Sequence, residues 1–195
     1  AGTARATLLR SGAARRRGLD DAQYRYLVLG VSTYLILTAN GALFLLVVAL
    51  KQIANEFGWP RSVPSLAYSL QFIGTGVGGI AMGFWFDRRG AAPVVLLGAT
   101  MMGAGAILSA YVVSEWQLYV IWGVMMGLLG QATMFGPLMV NVMRWFDDRR
   151  GFAVGVVAAG QSLAGALWPP VFRHFNESVG WQSTFLWYGI FALAT

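Results

Sequence analysis

The stretch Gly83-Phe84-Trp85-Phe86-Asp87-Arg88-Arg89-Gly90 is a short charged turn between two long apolar runs. Residues 62–86 hold 25 positions without Asp, Glu, Lys or Arg, and residues 90–114 hold another 25. A helix needs about 20 apolar residues to cross a hydrocarbon core, and it satisfies its own backbone hydrogen bonds there. The turn therefore joins two predicted membrane helices.

The composition of the whole chain agrees with a membrane protein. Of 195 residues, 57% are hydrophobic and 11% are charged, whereas a soluble domain carries about 25% charged residues. The net charge of +6 comes from basic residues clustered beside apolar runs, which argues against nucleic-acid binding. The chain has no Cys, so it has neither a disulfide framework nor a thiolate metal site.

Six apolar segments with short links predict an all-α fold of six antiparallel membrane helices. The segments are residues 26–50, 62–86, 90–114, a part of 116–143, 151–172, and a sixth that begins near Ser178 and is cut off. Because the chain lacks an initiator Met and stops inside an apolar run, we expect a fragment whose remainder is missing.

Charge placement predicts the orientation. Residues 1–25 form a basic tail, and this side of the predicted membrane carries eleven Lys and Arg residues. The links on the other side carry three, Lys51, Arg61 and Arg173. The positive-inside rule then places the N-terminus in the cytoplasm, in a multi-pass protein of the plasma (inner) membrane. An Arg-rich, acid-poor start is also found in organelle transit peptides, which is the alternative for the tail.

Small residues and prolines predict details of packing. Glycines four residues apart let membrane helices approach closely. The pairs are Gly74 and Gly78, Gly79 and Gly83, Gly123 and Gly127, and Gly151 and Gly155. Pro137 is expected to kink the fourth helix, and Pro169-Pro170 to break or bend the fifth.

No residue set suggests catalysis. The six segments contain no Asp, Glu, Lys or Arg, and the only histidine, His174, is predicted in a link. The sequence therefore predicts no enzyme, no metal site and no cofactor.

Neutral polar residues inside the segments predict a substrate cavity, because a buried amide needs a hydrogen-bond partner or a water-filled space. The alternative for each is a helix–helix hydrogen bond. We also include Phe44, an aromatic residue on the same helix face as Asn40. The predicted cavity residues are then Asn40, Phe44, Gln71, Gln131 and Gln161.

The charged turn itself has two interpretations. Asp87 lies at the C-terminal end of its helix, where a carboxylate is unfavourable for the helix dipole, so we expect a compensating partner such as an arginine. Gly83 would thin the helix for a close neighbour, and Gly90 would permit the tight reversal. The alternative is a plain positive-inside loop.

The pattern Gly83-x-x-x-Asp87-Arg88-x-Gly90 between helices two and three resembles the loop motif of the major facilitator superfamily. The chain departs from that motif at its basic tail, where it has Ala91-Ala92-Pro93. The resemblance implies the N-terminal half of a twelve-helix transporter, built as a 3+3 repeat that works against its own C-terminal half. It also implies a gating role for Gly83, Asp87, Arg88, Gly90, Arg149 and Arg150.

A narrower resemblance covers much of residues 26–192. The run Trp145-Phe146-x-x-Arg149-Arg150, followed by a glycine-rich helix, is similar to the monocarboxylate and oxalate/formate transporter branch. This implies alternating-access transport of a small organic anion, with proton coupling expected. The lysine that some members carry in helix one is replaced here by Phe44. The alternatives are a facilitator for a drug or a sugar, and a receptor or scaffold that does not transport.

Overall fold

A computed structural model describes residues 21–146 and 149–194 as a bundle of six helices. The helices are α1 (Asp21–Phe57), α2 (Ser62–Arg89), α3 (Ala91–Ser109), α4 (Glu115–Trp145), α5 (Arg150–Val179) and α6 (Trp181–Ala194). Four of them, α1, α3, α4 and α5, are long and apolar enough to cross a membrane. The described residues contain no strand, so the predicted all-α class is confirmed.

The helix contacts follow the predicted 3+3 organisation. Helix α1 packs mainly on α5 and α2 on α4, while α3 packs on both α4 and α6. If α1–α3 and α4–α6 are equivalent units, the α1–α5 and α2–α4 pairs correspond to each other, as in the inverted repeats of transporters. The buried centre holds large apolar side chains, including Trp122, Phe185 and Ile36.

The helix bounds differ from the sequence expectation at several ends. Helix α1 begins at Asp21, so residues 21–25 of the predicted tail belong to the helix, while residues 1–20 lie outside the described part. Helix α5 continues through Pro169-Pro170 to Val179, so of the two predicted effects the break is wrong and the bend stays a prediction. His174 consequently lies on an exposed face of α5 and not in a link. Both prolines are tolerated because neighbouring helices support a membrane helix whose own ladder is interrupted.

Helix α4 changes its winding along its length. Residues Glu115–Val120 are α-helical, Ile121–Gln131 form a π-helix, and Ala132–Trp145 return to the α form with Pro137 inside. Its start is fixed by the side chain of Gln117, whose Oε1 accepts the backbone N–H of Ser114 at 3.2 Å. The helix is thus continuous but wider in its middle.

Glycines confirm half of the predicted close contacts. A Cβ at Gly127 would lie 2.5 Å from the backbone oxygen of Gln71, and one at Gly74 would overlap the carbonyl of Gly123. At Gly79, Gly83, Gly151 and Gly155, by contrast, no described atom lies within 4 Å of such a Cβ. The α2–α4 contacts are therefore confirmed, and the expected contacts at these other four glycines are wrong within the described residues.

A candidate gate and substrate cavity

Asp87 has the compensating partner that its place on the helix requires. Its Oδ1 lies 3.5 Å from Nη2 of Arg144, which belongs to the last turn of α4. The same guanidinium lies over the ring of Phe86, 5.0 Å from its centroid. The expected arginine is confirmed, although the sequence did not single out Arg144. The signal was available, because Arg144 is the first charge after the fourth apolar segment.

The other residues predicted to form a gate lie at the same end of the bundle as this ion pair. Gly90 ends α2 with φ 83°, a left-handed value that favours glycine, and its N–H donates to the Phe86 carbonyl at 2.8 Å. This confirms its role in the tight reversal. Arg88, Arg149 and Arg150 are exposed, and a Cβ at Gly83 would have no close neighbour among the described residues. Their gating role stays a prediction.

A groove of about 490 Å³ runs between α2 and α4 toward the Asp87–Arg144 pair, and we call it the α2–α4 groove. Its floor is made of small residues, and Gln131 and Asp87 supply polar groups. The lining includes Thr75, Gly79, Gly83, Asp87, Gln131 and Phe135. The gate motif and one predicted cavity residue therefore belong to the same groove.

The buried amides differ in how their hydrogen bonds are met. The Nδ2 of Asn40 donates to the Ile36 carbonyl of its own helix at 2.8 Å. Gln71 is fully buried between α2 and α4, and neither of its amide atoms has a partner. Gln131 is buried as well, and its Oε1 has no partner. No helix–helix hydrogen bond is seen for the side chains of Gln71 and Asn40 among the described residues, so that alternative is not supported for them.

Two predicted cavity residues lie elsewhere. Gln161 is exposed on α5, away from the core of this half. Phe44 is half-buried, and its ring would lie 3.3 Å from a Cβ at Gly165. The indole N–H of Trp168 donates to the Leu37 carbonyl at 2.9 Å, so Trp168 packs on α1, unlike exposed Gln161 on the same helix. The five predicted residues do not converge on one pocket.

Phe44 lines a second groove, the α1–α5 groove, at the bundle end opposite Asp87. Its volume is about 640 Å³. Charged and amide side chains from the C-terminal ends of both helices surround it. They are Lys51, Gln52, Arg173, Asn176 and Glu177. Sequence reasoning counted the two cations only as loop charges and missed the groove, because it divided the chain into apolar segments and links.

At this same end, one carboxylate ties α1 to α6. Glu56 accepts a hydrogen bond from the indole N–H of Trp181, and another from Nε2 of Gln182 at 2.8 Å. In the bundle interior, the hydroxyl of Tyr188 donates to the Thr38 carbonyl. Helix α6 is therefore fastened to α1 at two levels, and α1 carries most of the polar cross-links.

Comparison with known proteins places this geometry in a family. The Major Facilitator Superfamily model matches residues 31–195. Monocarboxylate transporter 3 of Mus musculus is 28% identical over 178 residues, which are 91% of this chain and 36% of that protein. Monocarboxylate transporter 11 of Mus musculus is 30% identical over 140 residues, 72% of this chain and 30% of that protein.

A fungal relative carries a different name. The fujikurins efflux protein of Gibberella fujikuroi is 29% identical over 128 residues, which are 66% of this chain and 26% of that protein. The chain thus spans about a third of the length of the curated relatives that it matches.

Proposed function

The chain belongs to the major facilitator superfamily, and from that premise we propose that it forms the N-terminal half of a secondary transporter, not an enzyme. The cargo that we propose is a small monocarboxylate-like organic anion, moved by alternating access together with a proton. In this proposal the N-terminus is cytoplasmic and the protein lies in the plasma membrane.

The observation that carries the substrate class is the similarity to monocarboxylate transporters, which for one of them extends over 91% of this chain. The described helices support an anion in one further respect. Lys51 and Arg173 place positive charge at one end of the α1–α5 groove. Phe44 lines the apolar part of the same groove. A carboxylate is attracted to such a site by simple charge complementarity.

The gate in this proposal is the Asp87 turn with the basic residues beside it. The Asp87–Arg144 pair is more than half exposed at each side chain, so it is open to contacts from a second half. Exposed Arg88, Arg149 and Arg150 lie at the same end of the bundle. When the cavity opens away from this end, these groups would meet the C-terminal half and close the path, while Gln131 faces the route of the solute.

Export of a larger metabolite is the second candidate function. It is favoured by the similarity to the fujikurins efflux protein and by the absence of charged residues from the middle of the described helices. A neutral solute needs hydrogen-bonding amides and apolar surface, which Gln131 and Phe44 offer in the two grooves.

Proteoliposomes that contain the full-length protein test the proposal. We expect saturable uptake of labelled L-lactate or pyruvate that rises when the outside is made acidic and falls when a protonophore collapses the proton gradient. Saturable flux that does not depend on the proton gradient would contradict proton coupling, but it would still support the proposed substrate class. Lack of flux for any monocarboxylate, with flux of a neutral metabolite, would establish the second candidate.

A further inference from the structure

The α1–α5 groove has an excess of positive charge that no other described residue neutralises. Lys51 and Arg173 line it and are exposed, and neither forms an ion pair among the described residues. Glu177 is the carboxylate that lines the same groove, so the charged groups sum to one positive charge. A cleft with one sign of charge and apolar walls concentrates ions of the opposite sign.

The same groove contains a buried amide without partners. Asn176 is 6% exposed, and both its Nδ2 and its Oδ1 lack a hydrogen-bond partner. The Oε1 of Gln52, on the facing helix, is also buried and unpartnered. A buried polar group without a hydrogen-bond partner is costly. A polar solute or water that enters the groove would supply the partners that these two amides lack.

The corresponding groove of the other helix pair shows that this charge is not a general feature of the fold. The repeat relates the C-terminal ends of α5 and α1 to those of α2 and α4. At the α2–α4 groove the acid and the base, Asp87 and Arg144, lie 3.5 Å apart as a pair. The α1–α5 groove keeps its cations unpaired and adds a buried amide, which is an arrangement suited to an anion.

We propose that Lys51, Arg173 and Asn176 form an outer capture subsite for the carboxylate of the transported anion, at the end opposite the Asp87 turn. This proposal rests on the proposed function. Lys51 and Arg173 attract the carboxylate, and the Nδ2 of Asn176 donates a hydrogen bond to one of its oxygens. Phe44, in the same groove, then offers apolar contact to the organic part of the solute.

The test is uptake of labelled L-lactate by the full-length protein, measured separately from each side of the vesicle. In the double variant Lys51→Gln/Arg173→Gln, we expect the KM for lactate entering from the groove side to rise roughly ten-fold, with kcat unchanged. The KM from the other side stays at the wild-type value. Asn176→Leu should raise the same KM, and Glu177→Gln should lower it.

Two controls keep the result specific. Arg61→Gln removes an exposed cation near the same end that does not line the groove, and it should leave both KM values unchanged. The conservative variant Lys51→Arg should keep the wild-type KM. Because both cations are exposed, the double variant is expected to fold, and a monodisperse size-exclusion profile checks this.

Three outcomes would overturn the proposal. An unchanged KM in the double variant, with normal wild-type lactate flux, removes the subsite and leaves the proposed function standing. A change of kcat in both directions indicates instead that the cations pair with carboxylates of the second half of the transporter. Wild-type protein that moves no carboxylate overturns the proposed function and the subsite together.

Discussion

The two helix pairs that the repeat relates, α2–α4 and α1–α5, are joined in different ways. In α2–α4, backbone meets backbone, because Gly74, Gly78 and Gly127 leave no room for a side chain. In α1–α5, Gly160 meets the backbone of Thr33, but aromatic side chains also stand between the helices, with Phe44 near Gly165 and Trp168 against Gly41. Equivalent positions in one fold thus give one seam of close backbones and one seam that is partly spaced by aromatic side chains.

The difference has a consequence for where polar groups can lie. The close α2–α4 seam encloses Gln71 without a partner, and its groove opens only near the neutralised Asp87–Arg144 pair. The wider α1–α5 seam opens into a larger groove with unpaired cations. We therefore expect substitutions in α2–α4 to act first on folding, and substitutions at the α1–α5 groove to act first on solute handling.

The largest expected effect is on the stability of the α2–α4 seam. Gly74→Ala places a Cβ onto the carbonyl of Gly123 and should lower the free energy of unfolding by about 2–3 kcal/mol. Gly76→Ala, on an open face of the same helix, should be neutral or gain up to about 1 kcal/mol. Thermal unfolding of the purified full-length protein measures both. Equal stabilities of the two variants would show that the seam is not close-packed.

The next effect is on transport alone. Asp87→Asn should reduce flux about ten-fold or more, because it removes a charge from the proposed gate. Stability should change by less than about 1 kcal/mol, since both partners of the ion pair are largely exposed. Glu115→Gln, an exposed acid at the opposite end, is the matched control and should transport normally. Wild-type flux in the Asp87 variant would support the alternative interpretation, in which the turn is a plain charged loop without a gating role.

A smaller effect is expected when the unpartnered amide of the seam is removed. Gln71→Met keeps a long unbranched side chain and should raise the free energy of unfolding by about 1–2 kcal/mol, because two buried atoms without partners disappear. Gln161→Met, at an exposed site, should leave stability unchanged. A loss of stability in Gln71→Met would reveal a hydrogen bond that the amide makes in the full-length protein.

The smallest effect concerns the α1–α5 seam. Trp168→Phe keeps an aromatic ring against α1 and loses the hydrogen bond to the Leu37 carbonyl, at a cost of about 1 kcal/mol. Trp187→Phe, at an exposed position on α6, should cost nothing measurable. Thermal unfolding of both variants side by side checks the difference. Identical losses would mean that the indole hydrogen bond does not stabilise the seam.

Much of the fold was predictable because lipid imposes a simple rule on sequence. Uncharged runs predict the helices, and the Asp87 turn with Gly90 predicts the reversal between α2 and α3. The ends were less predictable, because the chain continues as helix beyond the apolar run. Lys51 and Arg173, taken as loop charges, lie inside α1 and α5 for this reason.

Tertiary contacts at single positions were the least predictable. Glycine spacing could not distinguish Gly74, which meets another backbone, from Gly83, which meets none. The spacing only permits a close approach, and the partner decides it. For the same reason the sequence predicted Gln161 as a cavity residue, although the structure exposes it, while Trp168 on the same helix packs on α1.

The wide winding of Ile121–Gln131 sets the angular phase of everything that follows it in α4. A π turn holds more residues than an α turn, so a helical wheel drawn at 3.6 residues per turn from Glu115 loses its registration before Ala132. The direction in which Arg144 points therefore depends on eleven residues well away from it. Related chains are better compared by two separate wheels, one on each side of this stretch.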